Sequence, residues 1–392
     1  MRVLLCDHLK FARFIILVVS LFELGSNSAF GQQPSAKEPT KYGNPVDMPE
    51  TKKKETKAKR YALFPVVVKS PEYLWGAGAA GTYYFKLGHD TTVRSSNIKA
   101  VSFYTLRKQL VVGTETTVYF PSEAYILHIN ASYSHFPDRF WGIGNTTPSS
   151  NQESYAITQF STTPQLSRVL FSDFYLGVGY DFQNVFDFDY NSQGGESLFD
   201  QENVPGRKGG RISGPQLLLT YDSRNNAFSP SGGFYVQYLI DHYNSALGSN
   251  FTFTVQSIDM RKFFALKKDR VIAMQLNIIT NHGNVPVRSL ASMGSSSYMR
   301  GYYDGRYADK NLIAYQTEYR TPVYKRFGIV VFAGVGRVGD TFDDLWSISH
   351  LKPSLGFGLR YSLSPKEKLN LRLDAGWGKQ SQGTYINLGE AF

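Results

Sequence analysis

Residues 298–311 read YMRGYYDGRYADKN and set Arg300, Asp304, Arg306 and Asp309 among Tyr298, Tyr302, Tyr303 and Tyr307. Guanidinium and carboxylate groups at that density can pair with each other or with partners elsewhere, and the tyrosines offer the cover under which an ion pair gains strength. Other residues able to do chemistry are few. His128 heads a period-two cluster with Asn130, Ser132 and Ser134, while His135, His242, His282 and His350 show no metal-ligand spacing. There is no Gly-x-Ser-x-Gly elbow and no glycine-rich phosphate loop. No catalytic residue, cofactor site or metal site is assigned. The expected chemistry is recognition and ion pairing, not catalysis.

The elements that must position those charges are strands. The tyrosine-rich stretch lies between two runs that alternate apolar and polar residues, 270–280 and 311–321. The connection 281–310 far exceeds the about 2–5 residues of a hairpin, and loops that long are usually functional. Alternation is clearest at Leu355, Phe357, Leu359, Tyr361 and Leu363, interleaved with Ser354, Gly356, Gly358, Arg360 and Ser362. It recurs at Leu369, Leu371, Leu373, Ala375 and Trp377 against Lys368, Asn370, Arg372, Asp374 and Gly376. A soluble sandwich would turn the apolar face to a core, whereas a membrane barrel turns it to lipid and its charges to a wet lumen.

Strand number and length separate the two. Sixteen such runs extend from 63–69 to 384–392, an even number, most near the about 9–11 residues that cross a tilted bilayer strand. With a periplasmic N-terminus the long connections 135–152, 189–212, 281–310 and 338–352 fall outside, and 121–123, 265–269, 322–326 and 364–367 fall inside. That is the loop asymmetry of such barrels. The expected fold is all-β: a single 16-stranded antiparallel transmembrane β-barrel with one long loop, 281–310. Run 251–264 is the least regular, its apolar face switching between Val255 and Ile258, for which a bulge is the expected cause.

Before the barrel, residues 1–31 read as a signal peptide. Arg2, Lys10 and Arg13 precede a nine-residue apolar run, 14–22, and Ala29-Phe30-Gly31 follows. The run is too short for a spanning helix of about 20 residues, and the mean hydropathy of −0.28 leaves no room for helical spans. Cys6, the single cysteine, would leave with this peptide, so no disulfide is expected. Residues 32–61 read as a disordered, basic periplasmic tether, solvated or drawn to anionic lipid through Lys52, Lys53, Lys54, Lys57, Lys59 and Arg60. The barrel spans 62–392. The formal net charge of +10 is carried partly by signal and tether, and an exported barrel has no nucleic-acid client.

Met299-Arg300-Gly301-Tyr302 followed by Gly305-Arg306-Tyr307-Ala308-Asp309 resembles the Arg-Gly-aromatic loop of the BamA/TamA outer-membrane barrel family, also called the bacterial surface antigen family. The resemblance continues through Glu318-Tyr319-Arg320-Thr321-Pro322, through Tyr221-Asp222-Ser223-Arg224-Asn225-Asn226 with Pro230 and Gly232, and more loosely to Phe64-Pro65. It implies a loop folded into the lumen. Arg300, carried by Gly301 and Tyr302, would meet Glu318 and Phe332, which alternation also places on polar strand faces. The family commonly has Asp where this chain has Gly334, so Glu318 would carry the pairing alone, or Asp304 or Asp309 would substitute.

Ile386, Leu388 and Phe392 resemble the C-terminal aromatic insertion signal of such barrels, with Glu390 departing from it, and residues 136–142 read as interfacial aromatic girdle. The family's folded periplasmic domains cannot be built from the tether. The implied function is insertion or translocation of proteins or lipids at the bacterial outer membrane, through a seam between first and last strands that Pro65 weakens. Implied partners are outer-membrane lipid, the barrel assembly machinery for the protein's own insertion, and periplasmic or outer-membrane client proteins. A passive or gated pore plugged by 281–310, or a structural surface barrel, is the alternative.

Overall fold

The computed structural model describes residues 61–88, 93–190, 196–226, 228–267, 269–364 and 368–392. The expected signal peptide and all but the last residue of the expected tether lie outside the described residues; Tyr61 opens the first strand. The strands are β1 (Tyr61–Ser70), β2 (Leu74–Phe85), β3 (Ser96–Thr105), β4 (Leu110–Tyr119), β5 (Tyr125–Phe140) and β6 (Glu153–Phe171), then β7 (Phe174–Tyr190), β8 (Gly210–Asp222), β9 (Gly233–Tyr243), β10 (Phe253–Ala265) and β11 (Val271–Gly283). Short strands β12 (Ala291–Met293) and β13 (Tyr307–Asp309) follow, and β14 (Asn311–Tyr324), β15 (Phe327–Gly339), β16 (Lys352–Ser364), β17 (Leu369–Gly378) and β18 (Ser381–Leu388) complete the chain.

Sixteen of these close into one antiparallel barrel, β11 pairing directly with β14, while β12 and β13 pair only with each other. Alternation is the cause, because period two assigns each side chain to one face of the wall. On β16, Leu355, Phe357 and Leu359 are 61%, 55% and 53% exposed, whereas Arg360 is 5% exposed. Apolar groups face out and charges face in, the reverse of a soluble core. Lipid solvates the outer face, and the ladders between neighbouring strands pair the backbone groups that hydrocarbon cannot satisfy, most sparsely between β1 and β18.

The wall is uneven. β5, β6 and β7 have 16, 19 and 17 residues, whereas β1 and β17 have 10 and β18 has 8. At about 3.3 Å per residue, β6 is roughly 60 Å long and β18 roughly 26 Å. The turns 71–73 and 379–380 beside β1 and β18 are short, while the long connections 141–152 and 284–310 rise from the same end of the barrel. By the loop rule that end is extracellular.

Two expectations change here. β10 pairs with β9 and β11 in unbroken register, so the bulge expected in 251–264 is absent; the shifts fall at β6–β7, β14–β15 and β16–β17. Val255 instead faces inward and packs on the cluster of Ile212, Tyr243, Phe253 and Leu290. The lumen is apolar where the long loop fills it. Nor do residues 136–142 form a girdle: β5 continues to Phe140, and Phe140 and Trp141 are buried against Phe199 and Tyr303.

A closed ladder is expected to resist detergent until heated. Protein recovered from native membranes should migrate differently in a detergent gel before and after boiling, and equal mobility would contradict closure.

Candidate functional site

The long connection descends into the lumen and crosses it. β12 and β13 form a small ladder, Ala291↔Asp309 to Met293↔Tyr307, that stiffens its two legs. Met293, Met299, Tyr302, Tyr307, Leu312, Ala314 and Val338 make a buried apolar cluster between loop and wall. At the tip the chain lies against β17. Gly301 has φ +106°, and a Cβ there would sit 2.7 Å from the backbone of Trp377; one on Gly376 would sit 2.9 Å from the Arg300 carbonyl carbon. Facing glycines thus let two backbones touch. The Tyr385 hydroxyl accepts from the Gly301 N–H (3.0 Å) and donates to the Tyr302 carbonyl (3.2 Å). The Tyr302 hydroxyl donates to the Pro353 carbonyl (2.7 Å) and accepts from the Lys379 N–H (2.8 Å).

Arg300 is fully buried. One guanidinium nitrogen, Nη2, contacts Glu318 Oε1, the other, Nη1, donates to Asp374 Oδ2 at 2.5 Å, and Cζ stands 3.6 Å over the Phe332 ring. The second acid is therefore Asp374 of β17. Glu318 does not act alone, and neither Asp304 nor Asp309 substitutes. Asp304 accepts from the Ser292 hydroxyl (2.9 Å) and Asp309 from the Lys310 N–H (2.8 Å). Around this centre, Arg320 Nε donates to Glu318 Oε2 (2.8 Å) and Arg360 Nη1 to Asp374 Oδ1 (2.5 Å). Arg372 lies 3.5 Å from Asp374, and Arg360 Nε donates to Glu390 Oε2 (2.7 Å). Burial alone would pull the Arg300 guanidinium below its ordinary pKa; Glu318 and Asp374 beside it more than offset this and hold it above.

The far side of the loop is fastened as well. The Tyr303 hydroxyl donates to Asp138 Oδ1 (2.8 Å), Arg306 donates to the Thr147 hydroxyl (3.0 Å) and carbonyl (2.9 Å), and Gly144 N–H donates to the Ala308 carbonyl (2.8 Å). The Asp304 N–H donates to Glu72 Oε1 (3.0 Å) in the β1–β2 turn. Burial raises the Glu72 carboxyl above its usual range, against hydrogen bonds from Ser70 and Asp304 that lower it.

At the C-terminal end, β18 stops at Leu388 and Gly389 turns with φ +79°. Ile386 lies opposite Leu373, which faces out, but Phe392 is buried beside Phe263 and Ala273. The expected single face of Ile386, Leu388 and Phe392 is thus broken after Leu388. The cause is Glu390, whose carboxylate accepts from Arg360 and from Asn370 (2.8 Å), while the Phe392 main-chain oxygen accepts from Arg320 (2.9 Å). A charge that would be costly against lipid is neutralised inside.

The seam differs from the other junctions. β1 and β2 pair at every residue from Tyr61↔Tyr83 to Ser70↔Leu74, and β17 and β18 from Leu371↔Leu388 to Gly378↔Ser381. Among the described residues, β1 and β18 share one register pair, Lys69↔Ile386.

Sequence reasoning singled out Arg300, Gly301, Tyr302, Glu318 and Phe332, which come together here, and missed Asp374, Arg360, Arg372 and Tyr385. One signal was available. Arg360 and Arg372 lie on the polar faces of the two most regular strands, which pair with the two arginines opposite each other, Arg360↔Arg372. Facing like charges need acids nearby. Among the described residues, no group of three or more His, Cys, Asp or Glu side chains could hold a metal ion.

The folded barrel is similar to BamA from Haemophilus ducreyi lacking POTRA domains 1–3, with a TM-score of 0.57 at 13% identity over 84% of this chain and 70% of that one. It is similar to CdiB from Acinetobacter baumannii, with a TM-score of 0.54 at 14% identity over 84% of this chain and 60% of that one. At such identities the likeness is one of fold. No curated protein matches the chain. The model of the Omp85 superfamily domain matches residues 101–392, most of the barrel with the loop and its ion cluster, and the chain belongs to that superfamily as an outer-membrane β-barrel.

Proposed function

We propose that this barrel assists insertion or translocation of proteins or lipids at the outer membrane by opening the seam between β1 and β18, while Arg300, held by Gly301, Tyr302, Glu318 and Phe332, pins the loop across the lumen. The observation that carries the reading is the seam, which has one register pair where the neighbouring junctions are paired throughout. An edge with unpaired N–H and C=O groups is a template for another strand, so a client strand could add there without first breaking a full ladder. Wall height supports the same reading. The roughly 26 Å of β18, tilted by about 40°, spans about 20 Å, less than the about 25 Å apolar band of such barrels. Lipid beside the seam must thin to match. Partners in this reading are outer-membrane lipid, periplasmic or outer-membrane client proteins, and the assembly machinery that inserts this chain after its export through a cleaved signal peptide.

The test is the rate at which proteoliposomes carrying the protein accept an unfolded outer-membrane barrel, compared with empty liposomes; equal rates would sink the proposal. A loop tied to both walls counts against a passive pore. Steady single-channel conductance in planar bilayers, unchanged on deleting residues 295–306, would favour the pore instead.

A further inference from the structure

Near the extracellular mouth one lysine is buried along its stem and has, among the described residues, no acidic partner. Lys352, the first residue of β16, is 4% exposed and turned to the lumen between Leu351 and Pro353, which face out. Its Nζ stands 4.1 Å from the centroid of the Tyr307 ring. That contact engages the charge but gives the ammonium N–H groups no acceptor, and among the described residues no carboxylate, carbonyl or hydroxyl accepts from it. The neighbours are cations. Arg306 lies with Cζ 4.3 Å from the same ring, its two terminal nitrogens bonded to the uncharged Thr147. Lys379 is tethered alongside, because one Tyr302 hydroxyl takes its N–H and donates to the carbonyl of Pro353, next to Lys352. The charges acting on Lys352 are those of Lys379, Arg306 and, from the outer side of β15, Arg337. The loop acids are engaged elsewhere, Asp304 with Ser292 and Asp309 with Lys310.

Cations gathered without a counter-charge, one of them with its stem buried and its ammonium donors free of any protein acceptor, match a multivalent anion. Lysines act as point charges that surround a tetrahedral group without needing the planar fork of a carboxylate–arginine pair. We propose that Lys352 and Lys379, supported by the charge of Arg306, form a phosphate site at the outer mouth of the lumen. It would take either a free phosphate or the headgroup phosphate of a glycolipid in the outer leaflet. A phosphate there would join the loop, through Arg306, to the wall at β16 and the β17–β18 turn, so occupancy would hold the plug in place. This goes beyond the seam reading and does not depend on it.

The test uses the full-length folded protein in detergent. Inorganic pyrophosphate is titrated calorimetrically, and bisphosphorylated lipid A and its fully dephosphorylated form are compared by native mass spectrometry. Binding of pyrophosphate, at least tenfold weaker in Lys352→Met and Lys379→Met, kept in Lys352→Arg and unchanged in Lys325→Met at the opposite end of the barrel, is the expected result and assigns a free anion. Retention of the bisphosphorylated lipid alone, with the same dependence on Lys352 and Lys379, supports the site and assigns the headgroup. If Lys352→Met loses its heat-dependent gel shift, the exposed Lys379→Met decides. No binding of either probe, equal retention of the dephosphorylated lipid, or binding indifferent to both lysines overturns the proposal.

Discussion

Arg300→Ala is expected to release the long loop while leaving the barrel wall closed. Breaking a buried pair costs about 3–5 kcal/mol because a charge stays behind without its partner, whereas an exposed pair is worth about 0.2–1 kcal/mol. Arg300, Glu318 and Asp374 side chains are all 0% exposed, which selects the larger figure. That converts to roughly a hundredfold or more in the population of the open loop. Trypsin should then cut at Arg306, whose guanidinium is buried in the docked loop. The wall should survive because β14, β15, β16 and β17 pair along their ladders without Arg300, while Glu318 Oε1 and Asp374 Oδ2 lose their buried partner. Glu318→Ala should be worse, since it leaves Arg300 and Arg320 contending for fewer acids and loosens wall and loop together. The double variant should then be no worse than Glu318→Ala alone. Arg300→Lys should rescue only in part, because an ammonium cannot reach Glu318 and Asp374 with two parallel nitrogens. Additive alanine effects would mean that the two residues do not interact, and the lock would be withdrawn.

Much of this architecture was readable in the chain, for a definite physical reason. Lipid outside and water inside impose opposite requirements on the two faces of every strand, so period two survives undiluted in runs such as 353–363 and 368–377. The sixteen-strand count followed from it. Arg300 and Glu318 were legible because one stands in a motif and the other on a polar strand face. Asp374 was not, although it stands on a polar face as well. Which inward charges meet across a lumen depends on strand tilt and on how closely the loop tip approaches the wall, here set by Gly301 against Gly376. Strand alternation carries no information about that approach. The same limit explains Phe392. Alternation extrapolates a strand through Glu390, but an ion pair with Arg360 turns the chain inward after Leu388. Phe140, Trp141 and Val255 misled in the other direction, since an apolar residue on the lumen face is natural only where a loop covers it.

Covalent closure of the seam should abolish client insertion while the barrel remains folded. Lys69 and Ile386 are register partners on the outer face, and antiparallel partners stand about 4.5–5.5 Å apart at Cα, within the range a disulfide spans without backbone movement. Cys6 is the sole native cysteine, so Lys69→Cys with Ile386→Cys gives one defined bridge once Cys6 is replaced. If clients enter by adding to the edges of β1 and β18, oxidation should cut the insertion rate in proteoliposomes by at least tenfold, and a reductant should restore it. The control is Val67→Cys with Ala77→Cys, which bridges β1 and β2, a junction already paired along its length. Its bridge should leave the rate unchanged, because that ladder has no need to open. The heat-dependent gel shift should persist in both, which separates a closed seam from an unfolded barrel. Loss of rate in both pairs would point to general stiffening. An unchanged rate in the oxidised Lys69–Ile386 pair would rule the seam out as the route.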